Sequence, residues 1–212
     1  MGKLRTYAEL MKGHRTLIWN SYDPKVAPLL AQEGANTEFL DRGKALFEAV
    51  IALQDSQETE YEERADASLA WQTGWDDEYE AFMELRSLMK SFVVNNAALA
   101  DKLQLKGTVS RKKMEFIRTA QSVYKAALRH VADLEDLGAT RLNEGEFGER
   151  LSMVEALLDL KDAYESEKSD AQHATKARNQ KYRELHQYSK QLKALALVAL
   201  KEEPQLRERL GL

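Results

Sequence analysis

Apolar residues recur every three or four positions along most of the chain, and two strongly polar intervals interrupt them. Tyr7, Leu10, Met11, His14, Leu17 and Ile18 fall on one face of a 3.6-residue helix, which predicts a first amphipathic helix from about Leu4 to Trp19. Met114, Ile117, Gln121, Tyr124, Leu128, Val131 and Leu134 repeat that spacing over 110–135, with Ser110 as the expected N-cap and Gly138 as the expected stop. Between the first helix and the next element, "DPKVAPLLAQEG" at 23–34 predicts a short helix capped by Asp23, with Pro24 at its first position and Gly34 past its end. Asn143 and Glu146 have the spacing of a capping box.

No proline interrupts the chain from about Thr37 to Val94, nor from Glu146 to Leu200, so each stretch predicts one long helix followed by a short one. Asn96 is placed to cap the first short helix and Pro204 to start the second. A straight helix of ~55 residues would run ~80 Å. Such stretches are therefore either rods of an elongated molecule or broken, and Gly74 and Asn179 mark the expected break points.

The same words appear twice. "KALFEAVIAL" at 44–53 and "LSMVEALLDL" at 151–160 align at an offset of 107 residues, and "LADKLQL" at 99–105 aligns with "LRERLGL" at 206–212 at that same offset. Two blocks with preserved spacing predict two copies of one unit, 1–107 and 108–212. The middles of the long segments, 54–67 and 159–181, are polar, and only Tyr61, Ala65, Tyr164, Ala171 and Ala174 give them an inner stripe. Helices so polar need a partner, which predicts that the two rods lie side by side. The expected fold class is all-α: an elongated, mainly antiparallel helical bundle of two similar halves packed as one, with two long helices and shorter ones on their apolar ends.

Composition narrows the function classes. A hydrophobic fraction of 43% supports a core, while 31% charged residues and 3 prolines fit solvent-laced helices. Net charge is −4, and no stripe of one sign stands out, which argues against a nucleic-acid partner. With 0 cysteines there is no thiol chemistry and no disulfide. The longest apolar run, "ALALVAL" at 194–200, is too short to span a bilayer, and the first residues lack the apolar core of a signal peptide. The expectation is a cytoplasmic protein. "MGKLRT" at 1–6 fits the loose N-myristoylation pattern, and chance is the preferred reading of it.

Five groups of residues are candidates for chemistry. Trp71, Trp75, Tyr79 and Phe82, followed by Met89 and Val93, form an aromatic row that reads as a cage for a cation or apolar ligand, or as the core stripe of a helix. The core reading is preferred, with the smaller Arg178, Tyr182, His186 and Ser189 of the second copy as the facing residues. Asp170 and His173 have i, i+3 ligand spacing, with Glu63 and Asp66 as counterparts, but a second Glu-x-x-His is missing. His14 reads as a hydrogen-bonded, half-buried residue and His130 as a surface one. Arg111, Lys112, Lys113 and Arg118 read as a solvated face, because positive charge opposes the dipole at a helix start. "LKALALVALK" at 192–201 reads as core more than as a membrane-surface helix. No nucleophile, P-loop or dinucleotide motif occurs, so no catalytic, cofactor-binding or metal residue is assigned and no enzymatic activity is expected.

The ending "ALALVALKEEPQLRERLGL", through Ala199, Leu200, Pro204, Gln205, Leu206, Leu210, Gly211 and Leu212, resembles the ending of an uncharacterised group of bacterial all-helical proteins. The resemblance covers about a tenth of the chain. It implies a bacterial helical bundle and carries over no site residue. The expected function is a non-enzymatic structural or protein-interaction bundle, with a second copy of itself or another protein as partner. The alternative is a bundle that binds a small ligand or metal.

Overall fold

The computed structural model describes residues 6–212, and the myristoylation pattern and Leu4 fall wholly or partly outside them. The described residues are all-α, with no strand. The helices are α1 (Tyr7–Asn20), α2 (Ala27–Gln32), α3 (Thr37–Phe92), α4 (Ala97–Lys102), α5 (Lys113–Arg129), α6 (Val131–Glu135), α7 (Glu144–Ala199) and α8 (Pro204–Arg209).

Local chemistry explains most of the boundaries. Thr6 starts α1 with a capping box: its hydroxyl accepts from the Glu9 N–H, and the Glu9 carboxylate accepts from the Thr6 N–H at 2.7 Å. Asn36 and Asn143 cap the two long helices alike, accepting from Phe39 N–H at 2.9 Å and Glu146 N–H at 3.0 Å. The second arm of the expected box at Asn143 does not form among the described residues, because the Glu146 carboxylate accepts from Arg150 instead. Asn96 accepts from Leu99 N–H as the cap of α4, and Pro204 sits in the first turn of α8.

Three boundaries differ from expectation. Pro24 lies in a turn rather than a helix, since Val26 and Ala27 both donate to the Asp23 carbonyl, and Pro28 occupies the first turn of α2. Ser110 does not cap α5; Lys112 holds that position, and the Ser110 hydroxyl accepts from its N–H while donating to Glu115. The helix expected over 110–135 is two helices, parted at His130 (φ −120°), so Gly138 (φ +80°) closes the short α6.

Neither long helix breaks. α3 and α7 each run 56 residues without interruption. Gly74 is a close-approach site instead of a hinge, since a Cβ there would lie 3.0 Å from Leu160 Cδ1 and 3.3 Å from Leu157 Cδ2. Each bound of α7 lies 107 residues beyond the matching bound of α3, and each bound of α8 lies 107 beyond that of α4.

The chain divides into two compact units, and these do not coincide with the sequence halves 1–107 and 108–212. The first unit takes the chain as far as Tyr61 and again from Asp170 to Leu212; the second takes Glu62–Ser169. Each unit therefore holds part of α3 and part of α7. In the first, they run antiparallel: Tyr188 Oη donates to the Phe39 carbonyl at 3.0 Å, and Gln57 Nε2 donates to Thr175 Oγ1 at 2.8 Å. Its core joins Met11, Leu17 and Ile18 to Leu40, Val50, Leu185, Leu192 and Leu210. In the second, α3 and α7 again run antiparallel, with Gly74 against Leu157 and Glu78 facing Arg150. Its core joins Phe82, Leu85 and Met89 to Phe116, Tyr124, Leu134, Phe147 and Val154. Of the expected inner stripe, Ala171 is buried and Tyr164 and Ala174 are half-buried, but Tyr61 and Ala65 are exposed; Gln57 takes the inward position in that part of α3.

Candidate functional site

The aromatic row is core. Trp71, Phe82, Met89 and Val93 are buried, and Trp75 and Tyr79 pack half-buried against them. Phe116 of α5 is the hub: its ring lies 5.9 Å from Trp75, 5.2 Å from Tyr79 and 5.5 Å from Phe82, and Phe82 continues to Tyr124 at 5.5 Å. Edge-on and tilted contacts at these spacings suit aromatic quadrupoles. The Trp71 end of the row already carries a cation from this chain. Lys113 Nζ lies 4.6 Å from the Trp71 ring and 5.5 Å from Trp75, and donates to Gln72 Oε1 at 2.6 Å. Desolvation there pushes the Lys113 ammonium below its ordinary pKa. Of the basic group expected as a solvated face, Lys113 is thus held on aromatic rings, while Lys112 pairs with Glu115 at 3.1 Å.

Beneath the row sits Glu78, 3% exposed. Its carboxylate accepts from Tyr124 Oη at 3.0 Å and faces Arg150 Nη1 at 3.5 Å. Burial pushes the Glu78 carboxyl above its ordinary pKa, against the pull of Tyr124 and Arg150. Every group of this network has a partner, so it reads as a satisfied polar contact inside the core.

The counterparts of the row do not face it. Arg178, Tyr182, His186 and Ser189 belong to the first unit, where they meet α1. Tyr182 lies 5.3 Å from the Tyr7 ring and 5.9 Å from His14, the Arg178 guanidinium sits 5.4 Å over Tyr7, and the His14 and His186 rings meet edge-on at 5.5 Å. Buried atoms here find no hydrogen-bond partner among the described residues: Tyr7 Oη, His14 Nε2, Arg178 Nε, His186 Nδ1 and Ser189 Oγ. His14 is 8% exposed and Ser189 5%. His14 is thus buried and unpaired at Nε2, where a half-buried, hydrogen-bonded residue was expected. Buried polar atoms are normally satisfied, so five orphans in one place call for an explanation.

A cavity of about 180 Å³ opens beside them. Leu10, Gly13, His14 and Leu17 of α1 line it, with His186, Ser189, Lys190 and Lys193 of α7 and the segment 210–212. Its origin is legible in the offset of 107. Ala120, Tyr124, Tyr79 and Phe82 pack in and against the second core, and the corresponding residues of the first unit are Gly13, Leu17, His186 and Ser189. Four residues are smaller or more polar at matching places, so volume that is filled in one unit is open in the other.

Desolvation first, and the neighbouring His186 second, lower the His14 pKa from 6.5 to about 4. Between those values the unfolded chain takes up a proton at His14 that the folded chain does not. Stability therefore falls as pH is lowered through that window and is fully present above about pH 6.5. Melting temperature should drop more between pH 7 and pH 4.5 in the native chain than in His14→Gln, which carries the residue found at the matching position, Gln121. Equal drops would place the acid sensitivity elsewhere.

Asp170 and His173 are exposed in the first unit, and Glu63 and Asp66 are exposed in the second. His130 bonds Asp133 at 2.9 Å at the α5–α6 junction. In 192–201, Leu192, Ala196 and Leu200 are buried as expected of core, while Leu197 and Val198 are 42% and 60% exposed. Among the described residues, no helix is long and apolar enough to cross a membrane. Comparison with protein-family models, with curated proteins and with solved structures found no match.

Proposed function

We propose that this chain is a non-enzymatic helical bundle made of two copies of one helical unit, and that the first compact unit, to which both copies contribute, binds a small ligand in the cavity beside His14 and His186. The matching bounds of α3 and α7 and of α4 and α8, with Asn caps at 36 and 143, support the duplication. The observation that carries the binding role is a cavity lined by His14, His186 and Ser189, each of which holds a buried polar atom without a hydrogen-bond partner among the described residues. Concave sites with an apolar lining and a few convergent polar groups are where small ligands bind.

A fragment screen by NMR tests this reading. Small fragments should shift the amides of Gly13, Ser189 and Gly211, and Ser189→Phe, which installs the side chain of the matching Phe82, should abolish those shifts. If no fragment moves these amides at millimolar concentration, the reading fails. A structural or protein-interaction role, through self-association or another protein, is the second reading. Leu197 and Val198, exposed near the end of α7, favour it. Light scattering over a range of concentrations checks the self-association form, which a strict monomer would remove.

A further inference from the structure

The outward faces of α7 and α3 differ in charge at places the repeat makes comparable. In the first unit, Arg183, Gln187, Lys190, Ala194 and Leu197 follow one another at helical spacing along α7, and all are exposed, as is Lys193 beside them. At the offset of 107, the second unit carries Asp76, Glu80, Met83, Ser87 and Lys90 on α3, also exposed, with Asp77 and Glu84 alongside. The α7 face is basic and ends on Leu197, 42% exposed; the α3 face is acidic around Met83, 38% exposed, until Lys90 closes it. Glu184, the acid beside the basic face, is taken up by Lys181 at 2.7 Å. At the acidic face, Arg141 holds Glu84 at 2.7 Å, and Gln72 donates to Asp76 at 2.7 Å. Arg183, Lys190 and Lys193 on one face, and Asp77 and Glu80 on the other, take part in no ion pair among the described residues. The fold itself does not demand either pattern, because matching places in the two units carry opposite charge.

We propose that this chain associates head to tail with further copies of itself, the α7 face around Lys190 of one molecule docking on the α3 face around Glu80 of the next. The proposal deepens the self-association reading above by naming the two surfaces that meet. Opposite charge across the contact favours encounter and suppresses wrong pairings, so α7 on α7 and α3 on α3 are both disfavoured. Such a contact is heterologous: a molecule that has used its basic face still offers its acidic one. A single helix face on each side buries less than the ~1,200 Å² of a standard stable complex, so the association is weak and needs concentrated protein.

Sedimentation velocity on the full chain at millimolar concentration tests the contact. It is run in about 20 mM salt and again in about 500 mM, where the Debye length shrinks from about 20 Å to about 4 Å. The association constant should fall at least about tenfold between the two. Two double variants isolate the faces: Arg183→Glu with Lys190→Glu spoils the basic one, and Asp77→Asn with Glu80→Gln weakens the acidic one. All four residues are exposed, so both variants should keep the native melting temperature. Each alone should associate at least about tenfold more weakly than the native chain in low salt. Mixed, they should form a one-to-one complex as tight as the native contact, because one keeps an intact acidic face and the other an intact basic face. A native chain that stays monomeric in low salt overturns the proposal and the self-association reading together. Association that persists in high salt, or in both variants, overturns the proposal alone, since the copies then meet elsewhere. A mixture that forms no complex overturns the head-to-tail pairing. Where a variant melts below the native chain, the salt series on the native chain decides.

Discussion

Replacing Phe116 with alanine should lower the stability of the protein by about 3–5 kcal/mol, the usual range for a fully buried aromatic cut to a methyl. Phe116 is 0% exposed and touches Trp75, Tyr79 and Phe82 within 6 Å ring to ring. Its removal deletes three aromatic contacts together and opens a void under two half-buried rings, which already stack on each other at 5.0 Å and cannot fill it while α5 is held by Ile117, Ala120 and Tyr124. Leu128, half-buried on the margin of the same cluster, should cost much less when truncated. Urea denaturation followed by far-ultraviolet circular dichroism measures both. A loss under about 1 kcal/mol at Phe116 would mean that the aromatic row is not a close-packed core.

Why the second unit was legible from sequence and the first only partly so follows from the same residues. Trp71, Trp75, Tyr79 and Phe82 repeat at helical spacing and are apolar, so period and burial agree. The long helices were also legible, since two proline-free stretches flanked by Asn caps leave little else for the chain to do. Gly74 misled because a glycine inside a helical pattern reads as a weak point, whereas its reason lies in Leu157 and Leu160 on another helix. Asn179 misled in the same way: its side chain accepts from Arg178 and the helix continues. The partition into units was hidden because apolar ends show that a helix is buried without showing which end packs with which.

The cavity was hidden for a different reason. Arg178, Tyr182, His186 and Ser189 were legible as smaller than their counterparts, but that fitted complementary packing of one copy on the other as well as missing volume. The deciding signal was on α1. Gly13 and Leu17 are smaller than Ala120 and Tyr124 at the same offset, so both faces shrink together, and two faces that shrink together leave a space. Four coordinated reductions, with polar atoms left unpaired among them, distinguish this from the tolerated loss of one methyl group.

Gly43→Ala carries the other large expected effect, and its sign runs against helix propensity. In an ordinary helix interior, alanine in place of glycine gains up to ~1 kcal/mol. At Gly43, inside α3, an added Cβ would collide with the ring of Tyr188. That ring has nowhere to go, since it stacks on Phe39 at 4.8 Å and donates through its hydroxyl to the Phe39 carbonyl at 3.0 Å. Overpacking of this kind costs about 1–3 kcal/mol, so Gly43→Ala should be destabilising by roughly 1–2 kcal/mol. Gly148 supplies the control: it is also helical, but a Cβ there meets no described atom within 4 Å, and Gly148→Ala should stabilise. The cause can be isolated with Tyr188→Ala, which is itself destabilising. In that background the obstacle is gone, and Gly43→Ala should turn neutral or favourable, giving a coupling energy of about 1–3 kcal/mol in the double-mutant cycle. A cycle that closes with no coupling, or a Gly43→Ala variant more stable than the native chain, would show that α3 and α7 do not approach at Gly43 as closely as Tyr188 requires.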